Sequence, residues 1–299
     1  MRVIITGASG FVGQALLKFL TQKGLEVYPI YHLAKLNDAN AIFCDFQDYV
    51  TTGKTIDKIS PDVFIHCAAL TNVDLCESKK MDCWNANVNA SMNICRSIDK
   101  NIHFVYVSTS QVFDGKDGNY SEGSIKNPIN WYGTTKSISE EVVMNVLSSW
   151  TVVRFSNLYG FDPECKNFFH NAVVKILRND TINAVGDNII SPTSIDTTIS
   201  ALSEIILERI YGIYHIADLE SSTKYDILLR LSGLLGKKGL VLKEQSSNIL
   251  SARRPLNTSL DVSKFLESLK DSKPLTLDRG LSEFVRKIKL SLHEGVDKR

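Results

Sequence analysis

Near the start of the chain the sequence reads Val3-Ile-Ile-Thr-Gly-Ala-Ser-Gly-Phe-Val-Gly13. A short apolar run leads into three glycines spaced Gly-x-x-Gly-x-x-Gly. An apolar stripe at helical spacing follows, formed by Ala15, Leu16, Phe19 and Leu20. This order predicts a strand, a tight turn and a helix that packs closely against the strand. The free N–H groups at the start of such a helix favour a negatively charged ligand.

Each of the three glycines has its own expected role. Gly7 allows the tight turn, Gly10 lets the backbone approach a pyrophosphate, and Gly13 lets the helix pack close to the strand. The turn is therefore a candidate dinucleotide site. Since the spacing differs by one residue from the usual dinucleotide fingerprint, a glycine-rich turn without a ligand is the alternative.

The rest of the first half repeats the alternation of strand and helix. Further strands are predicted at 26–31, 41–44, 62–66, 103–107 and 151–155, and helices at 49–59, 81–100 and 132–149. Six strands alternating with helices are typical of a doubly wound parallel sheet, the α/β Rossmann architecture. The second half is less regular, with helices predicted at 168–179, 194–209, 224–235 and 279–292 and strands at 181–185 and 212–216.

Composition narrows the class of protein. The 299 residues carry 34 Lys and Arg against 33 Asp and Glu, a net charge of +1 that predicts neither a nucleic-acid nor a membrane-surface partner. No apolar run approaches the ~20 residues of a membrane span. The six cysteines form no Cys-x-x-Cys pair and no metal-like pairing with histidine, so we expect no metal site. The strand-like start at Arg2 predicts no signal peptide, and we expect a cytoplasmic protein with mostly reduced thiols.

The ends of the second and third strands are candidate cofactor positions. Asp45 is placed to accept from an adenine amino group, or alternatively to cap a turn. The second strand ends at Tyr31 and His32, with Lys35 nearby. It lacks the carboxylate that would bind the adenine ribose 2′-hydroxyl of NAD. The sequence therefore favours NADP, or the use of both cofactors, over NAD alone.

Small residues at 67–71 follow the fourth strand and leave room for a cofactor in the sheet crevice. Asn87 and Asn89 lie inside the helix predicted after it, although asparagine is a poor helix former. One of them is therefore expected to face a site; a solvated helix face is the alternative.

Hydroxyl groups and a Tyr–Lys pair mark the candidate catalytic edge. Ser108 and Thr109 follow the fifth strand, where a hydroxyl can donate to a carbonyl oxygen that gains negative charge; a plain Ser/Thr turn is the alternative. About twenty residues later, Tyr132 and Lys136 stand four apart at the head of a helix, on one face. A cation beside a phenol lowers the phenol pKa, so the pair is a candidate proton donor and acceptor.

Two adjacent arginines, Arg253 and Arg254, precede a rigid turn at Pro255. Two guanidinium groups in that position are a candidate clamp for a diphosphate. A solvent-facing basic turn is the alternative.

Together these motifs resemble the extended short-chain dehydrogenase/reductase superfamily and, within it, the dTDP-4-dehydrorhamnose reductase family. The residues that carry the resemblance are Gly7–Gly13, Asp45-Phe46, Ala68–Asp74, Asn87, Ser108-Thr109, Val112–Gly115, Tyr132–Lys136, Arg154, Asn167-Phe168, Ser191–Thr193, Arg254-Pro255 and Leu260-Asp261 before Lys264. With this resemblance, we expect residues 1–155 to form an NAD(P)-binding Rossmann domain to which 192–218 returns. Residues 156–191 and 219–299 then form a smaller α/β substrate-binding portion.

The resemblance implies that NAD(P)H reduces the C4 ketone of a nucleotide-linked 4-keto-6-deoxyhexose. It also implies that the protein can form a homodimer. Tyr132 would protonate the ketone oxygen, Lys136 would lower the tyrosine pKa and hold the nicotinamide ribose, and Thr109 would hydrogen-bond the same oxygen. The implied cofactor-binding residues are Gly7, Gly10, Phe11, Val12, Gly13, Asp45, Phe46, Ala68, Ala69, Leu70, Asn87, Tyr132 and Lys136. The implied substrate-binding residues are Thr109, Ser110, Asn157, Asn167 and Arg254.

Two departures from the family pattern leave the sugar open. The reductases carry Asp-Tyr where this chain has Ser110-Gln111, and tryptophan where it has Asn157. Dehydratases of the superfamily follow the threonine with Asp-Glu, and Ser110 and Gln111 cannot replace that acid and base at neutral pH. Two alternatives to a reductase remain. One is a sugar-nucleotide 4-epimerase. The other is a non-catalytic NADP-binding regulatory subunit resembling the β subunit of methionine adenosyltransferase.

Overall fold

The structure is a computed structural model that describes residues 1–33, 36–162, 167–245, 247 and 250–296, with side chains to residue 291. Lys35 and Cys165 lie outside the described residues. The strands are β1 (Arg2–Thr6), β2 (Glu26–Tyr31), β3 (Ile42–Phe43), β4 (Val63–His66), β5 (His103–Thr109), β6 (Trp150–Phe155), β7 (Leu158–Tyr159), β8 (Ile182–Val185), β9 (Ile189–Ile190), β10 (Thr193–Ser194), β11 (Gly212–His215), β12 (Ser222–Thr223) and β13 (Val241–Glu244). The helices are α1 (Phe11–Gln22), α2 (Tyr49–Ile59), α3 (Val73–Ser78), α4 (Lys80–Trp84), α5 (Ala90–Ser97), α6 (Trp131–Val146), α7 (Phe168–Leu177), α8 (Ile195–Leu207), α9 (Lys224–Leu234), α10 (Ser263–Ser268) and α11 (Leu277–Val296).

Seven strands form one sheet in the order β11-β6-β5-β4-β1-β2-β3, and all its neighbouring pairs are parallel. The chain begins at β1 inside the sheet, moves outward to β3, then returns to β4 on the other side of β1. The predicted doubly wound parallel sheet is confirmed. In such a sheet the ligand crevice lies at the carboxyl ends of the strands, where the winding direction reverses.

Apolar residues on both faces of the strands explain why this sheet is buried. In β1, Val3 and Ile5 pack with Leu16 of α1 on one face, and Ile4 packs with Phe64 and other residues on the opposite face. Because side chains alternate along a strand, an uninterrupted apolar run buries both faces at once. The helices α1 and α8 cover the first face, and α2, α5 and α6 cover the second.

A second apolar core lies in the later part of the chain. Phe169 of α7, Leu228 of α9 and Leu281 of α11 pack there with Ile182 of β8 and Val241 of β13. β8 and β13 form a short parallel pair. The sequence predicts β8 but not β13.

The long helix predicted at 81–100 differs in detail. It begins at Lys80 and ends at Ser97, because Ile98 adopts an extended backbone. One π-helical turn, Asn85–Asn89, interrupts it. A π turn inserts one extra residue per turn and redirects side chains, and it occurs often near functional sites. Here it buries Asn87 toward the loop that follows β4.

No described helix is long and apolar enough to cross a lipid bilayer.

Candidate active site

A cavity of about 1010 Å³ runs along the carboxyl ends of the strands. Six strands each place the residue after their last position in its wall: Gly7 after β1, His32 after β2, Cys44 after β3, Cys67 after β4, Ser110 after β5 and Ser156 after β6. The opposite wall comes from the later part of the chain. The sheet therefore supplies one side of a cleft large enough for two ligands.

The glycine turn lies in this wall, and all five residues predicted to bind cofactor there line the cavity: Gly7, Gly10, Phe11, Val12 and Gly13. A Cβ on Gly13 would lie 2.3 Å from the Gly7 carbonyl oxygen, so only glycine allows α1 to pack this close to the turn. None of the described side chains caps α1, and its first turn holds no acidic residue. The uncapped N–H groups and the helix dipole fit a pyrophosphate.

Asp45 and Phe46 form the part of the cavity wall beside β2. Asp45 accepts from the Gln47 N–H at 2.9 Å, and its Oδ2 lies 3.7 Å from Nε2 of His32. The two interpretations of Asp45 are therefore compatible: it caps a turn and it faces the cavity. Lys35, which the sequence places near this end, lies outside the described residues.

The loop after β4 brings Ala68, Ala69 and Leu70 to the cavity. Thr6 holds the start of this loop, since its hydroxyl accepts from the Ala68 N–H at 3.1 Å. The predicted small residues thus leave the cavity open directly beside the glycine turn.

Asn87 requires a correction. Its side chain is 1% exposed and lies behind the residues that line the cavity. The side-chain carbonyl accepts from the Leu70 N–H at 2.8 Å, and the amide donates to the Leu70 carbonyl at 3.2 Å and to the Thr135 hydroxyl at 3.0 Å. Because these contacts occupy its polar atoms, Asn87 ties the loop after β4 to α6 and does not face the cavity as expected.

Thr109 and Tyr132 meet in the cavity wall, 7% and 8% exposed. The Thr109 hydroxyl lies close enough to the phenol to favour its ionised form. The approach of α6 to this point depends on Gly133, since a Cβ there would lie 2.1 Å from the Gln111 carbonyl oxygen. Asn130 begins the helix by accepting from the Gly133 N–H at 2.8 Å and also donates to the Gln111 side chain at 2.9 Å.

The pKa of Tyr132 differs from the expectation. Burial raises it, and the Thr109 hydrogen bond acts in the opposite direction. The expected lowering by Lys136 is absent from this arrangement, because the Lys136 ammonium is directed at the Val107 carbonyl, 2.7 Å away. Burial lowers the pKa of Lys136 itself to about 7, and the Glu140 carboxylate opposes that shift. Lys136 is 2% exposed and lies behind the cavity wall.

The predicted substrate residues Ser110, Asn157, Asn167 and Arg254 all line the cavity, as does Thr109. Asn167 also has a structural role as the first residue before α7. Its side-chain carbonyl accepts from the His170 N–H at 3.0 Å, and its amide donates to the Gly160 carbonyl at 3.0 Å. Asn167 therefore shapes the wall through a helix cap.

Arg254 faces the cavity, but Arg253 is exposed and does not. The guanidinium of Arg254 donates to Asp74 at 3.0 Å and to the Ala252 carbonyl at 2.7 Å. Asp74 also accepts from the N–H of Ala252 at 2.7 Å and from the hydroxyl of Ser251 at 2.8 Å. Burial disfavours the ionised form of Asp74, but these donors outweigh it and lower its pKa. The predicted clamp of two arginines is wrong, because successive residues of this turn point in different directions.

Two polar residues of the later half of the chain, Lys224 and Asn188, are among the cavity residues that were not predicted. Lys224 begins α9, and Asn188 precedes β9; both line the cavity. Asn188 donates to the Pro255 carbonyl and so attaches the Arg254 turn to this wall. Neither carries a local sequence signal, since both reach the site through the packing of the later part of the chain. Across the described ranges, no group of three or more His, Cys, Asp or Glu side chains is arranged to hold a metal ion.

Residues 1–289 match the family model described as the RmlD substrate binding domain. The chain belongs to the RmlD substrate binding domain family. The resemblance read from the motifs is confirmed.

Three relatives of this RmlD-family chain bear on its function. The probable low-salt glycan biosynthesis reductase Agl14 of Haloferax volcanii is 28% identical, over 93% of this chain and 95% of its own. Methionine adenosyltransferase 2 subunit beta of Rattus norvegicus is 28% identical, over 90% of this chain and 82% of its own. The crystal structure of dTDP-4-dehydrorhamnose reductase from Bacillus anthracis in complex with NADP has a TM-score of 0.86 and 26% identity, over 96% of this chain and 99% of its own.

The positions at which this RmlD-family chain departs from the expected reductase pattern share one location. Ser110, Gln111 and Asn157 line the same cavity as Thr109 and Tyr132. Gln111 is held by Asn130, which also caps the helix that carries Tyr132. The departures therefore fall in the wall of the candidate site and not on the outer surface.

Proposed function

We propose that this protein is an oxidoreductase that uses NAD(P)H to reduce the C4 ketone of a nucleotide-linked 4-keto-6-deoxyhexose. The observation that carries the proposal is the meeting of the Thr109 and Tyr132 hydroxyls in one cavity with the Gly7–Gly13 turn. The Bacillus anthracis relative, a reductase solved with NADP, supports the same chemistry.

The nicotinamide cofactor supplies the hydride when it is bound. The uncapped first turn of α1 and the glycines before it bind its pyrophosphate through backbone N–H groups. Asp45 and Phe46 would hold the adenine end, and Ala68, Ala69 and Leu70 would border the ribose. Lys136 donates to the Val107 carbonyl and lies behind the cavity wall, so in this arrangement its ammonium does not reach the cavity.

Tyr132 and Thr109 act on the ketone oxygen. Because burial raises the pKa of Tyr132, its phenol stays protonated at neutral pH, the form that a proton donor needs. The Thr109 hydroxyl donates to the same oxygen while negative charge develops there. A phenol that gives a proton and a hydroxyl that stabilises the developing negative charge are the two roles that ketone reduction requires.

The reductant is proposed to be NADPH in preference to NADH. The β2 end presents Tyr31 and His32 to the cavity and no carboxylate of its own. The described end of β2 therefore lacks the carboxylate that would bind the ribose 2′-hydroxyl of NAD and repel the 2′-phosphate of NADP, and the Asp45 carboxylate nearby faces His32. Comparing KM for the two reduced cofactors tests this choice.

The function is tested with purified protein, NADPH and dTDP- or UDP-linked 4-keto-6-deoxyhexose generated in the same reaction. We expect stoichiometric oxidation of NADPH and a reduced sugar nucleotide as product. If neither nucleotide sugar causes NADPH oxidation, the reductase proposal is wrong. A 4-epimerase is distinguished in the same assay, because it retains its cofactor and consumes no NADPH overall.

A regulatory subunit is the second candidate, and a specific finding favours it. The rat methionine adenosyltransferase 2 subunit beta matches 90% of this chain at 28% identity, the same identity as that of Agl14. In this case the protein binds NADP, shows no turnover and co-purifies with a larger enzyme. A pull-down from the native source, run beside the turnover assay, separates the two functions.

A further inference from the structure

Two cations meet in the part of the cavity wall built by the later half of the chain. Arg254 comes from the turn before Pro255, and Lys224 from the first residue of α9. They are close enough for the charge of Arg254 to disfavour that of Lys224: burial, with Arg254 as the second cause, lowers the pKa of Lys224 to about 8. Two like charges held together in a partly buried wall are unfavourable unless an anion lies between them.

Lys224 has no carboxylate partner among the residues that the structure describes. Its Nζ lies 5.2 Å from the ring centre of Phe168, and among the described residues no carboxylate lies within 4 Å of it. Arg254 differs, because Asp74 already balances it at 3.0 Å. This part of the wall therefore carries one uncompensated positive charge. An ion–ring contact replaces only part of the hydration that a buried ammonium loses.

The arrangement around Arg254 is rigid. Asp74 binds the turn through Ser251, Ala252 and Arg254, and Asn188 binds the following Pro255 carbonyl. The guanidinium is therefore held in place before any ligand arrives. A fixed guanidinium and a flexible ammonium on one wall suit a group with several anionic oxygens, such as a diphosphate.

The pyrophosphate of the cofactor already has a site at the Gly7–Gly13 turn, in the opposite wall. We propose that Lys224, together with Arg254, binds the diphosphate of the nucleotide-sugar substrate. This inference rests on the proposed function. Lys224 is the second cation beside Arg254, in place of Arg253, which does not face the cavity.

The test is equilibrium binding of dTDP and UDP to the NADP-loaded protein, without turnover. We expect Lys224→Met to weaken diphosphate binding by about tenfold to a hundredfold, the range of a charge-assisted hydrogen bond. Binding of thymidine and uridine, which lack phosphate, should stay unchanged. The matched control is Lys243→Met, because Lys243 also lies over a ring, 5.5 Å from Tyr225, but does not line the cavity.

The outcomes separate this inference from the proposed function. If wild-type protein binds dTDP or UDP and Lys224→Met binds it equally well, the inference alone is wrong. If wild-type protein binds neither diphosphate, the proposed function fails and the inference fails with it. Thermal unfolding of Lys224→Met should show no loss of stability, since the substitution removes a partly buried, unpaired charge. If Lys224→Met and Lys243→Met weaken binding equally, the effect is general electrostatics and the inference is also wrong.

Discussion

The ammonium of Lys136 lies 4.0 Å from the centre of the Tyr106 ring, on the strand beneath the candidate catalytic edge. The ring face and the Val107 carbonyl replace part of the water that the ammonium loses on burial. The replacement is incomplete, because burial still lowers the pKa of Lys136 to about 7. The ligand-free protein thus holds a lysine that changes charge near neutral pH.

Lys136 should make stability depend on pH. Its folded pKa of about 7 is below its ordinary value, so the burial cost is complete below pH 7 and disappears as pH rises toward the ordinary value. We expect Lys136→Met to be more stable than wild type at pH 6, by on the order of a few kcal/mol, with a smaller difference at pH 9. Urea unfolding at both pH values measures this. A difference that does not change with pH would contradict the assignment.

Tyr132→Phe should separate catalysis from cofactor binding. We expect turnover to fall by about 10²- to 10⁴-fold, the usual contribution of a general acid, because the phenol is the proton donor. The Kd for NADPH should change little. The control is Tyr211→Phe, which removes a hydroxyl from an exposed tyrosine. Full turnover in Tyr132→Phe would show that another group gives the proton.

Gly133→Ala tests the approach of α6 to the catalytic edge. The new Cβ would lie 2.1 Å from the Gln111 carbonyl oxygen, so the helix start must move and Tyr132 must move with it. We expect kcat to fall more than about tenfold, since small displacements of a catalytic group are costly. Gly123→Ala is the control, because its Cβ meets nothing within 4 Å. Equal kcat values for the two variants would argue against this packing requirement.

Glu140→Gln tests the buried ion pair behind the site. Glu140 and Arg154 are 0% and 1% exposed, and their side chains lie 2.7 Å apart. Removing one charge of a buried pair leaves the other uncompensated, so we expect a loss of about 3–5 kcal/mol of unfolding free energy. Glu141→Gln is the matched control; this neighbour is half-exposed and pairs with Lys126, and we expect a loss below about 1 kcal/mol.

The Glu140–Arg154 pair also predicts how the free energy of unfolding changes at acid pH. Burial opposes ionisation of Glu140, but Arg154, Lys126 and Ser108 outweigh it, and the pKa is lowered overall. A lowered carboxyl pKa gives stability that is present above the ordinary value and is lost as pH falls through the folded value. The difference between wild type and Glu140→Gln should therefore shrink in acid. A constant difference down to low pH would contradict the ion pair.

Diphosphate binding should depend on pH through Lys224. Because its pKa in the free protein is about 8, Lys224 is charged below that pH and loses its charge above it. We expect the affinity for dTDP or UDP to fall as pH rises above 8 in wild type. Lys224→Arg, whose guanidinium stays charged, should bind with an affinity that changes little over the same range. Parallel profiles would show that another group controls the pH dependence.

Local patterns were sufficient for the fold and for much of the site. The apolar run before Gly7 predicts a buried strand because side chains alternate between the two faces, so an uninterrupted apolar run buries both. The glycine spacing predicts the turn because the turn needs glycines at fixed positions along the backbone. The short segments around Thr109 and Tyr132 could be placed on one sheet edge, since parallel strands bring their carboxyl ends together. These inferences depend on residues near one another in sequence.

The sequence by itself determined the doubly wound sheet and the glycine turn, because each follows from local spacing or from strand order, and the family resemblance supplied the roles of Thr109 and Tyr132. Only the tertiary structure decided three other points: the burial that sets the pKa of Lys136, the turn of Asn87 away from the cavity, and the meeting of Lys224 with Arg254. Each depends on which distant segments pack together and how much water they exclude. Local spacing carries no information on either, so Lys224 had no signal in the sequence although it lines the same cavity as Tyr132.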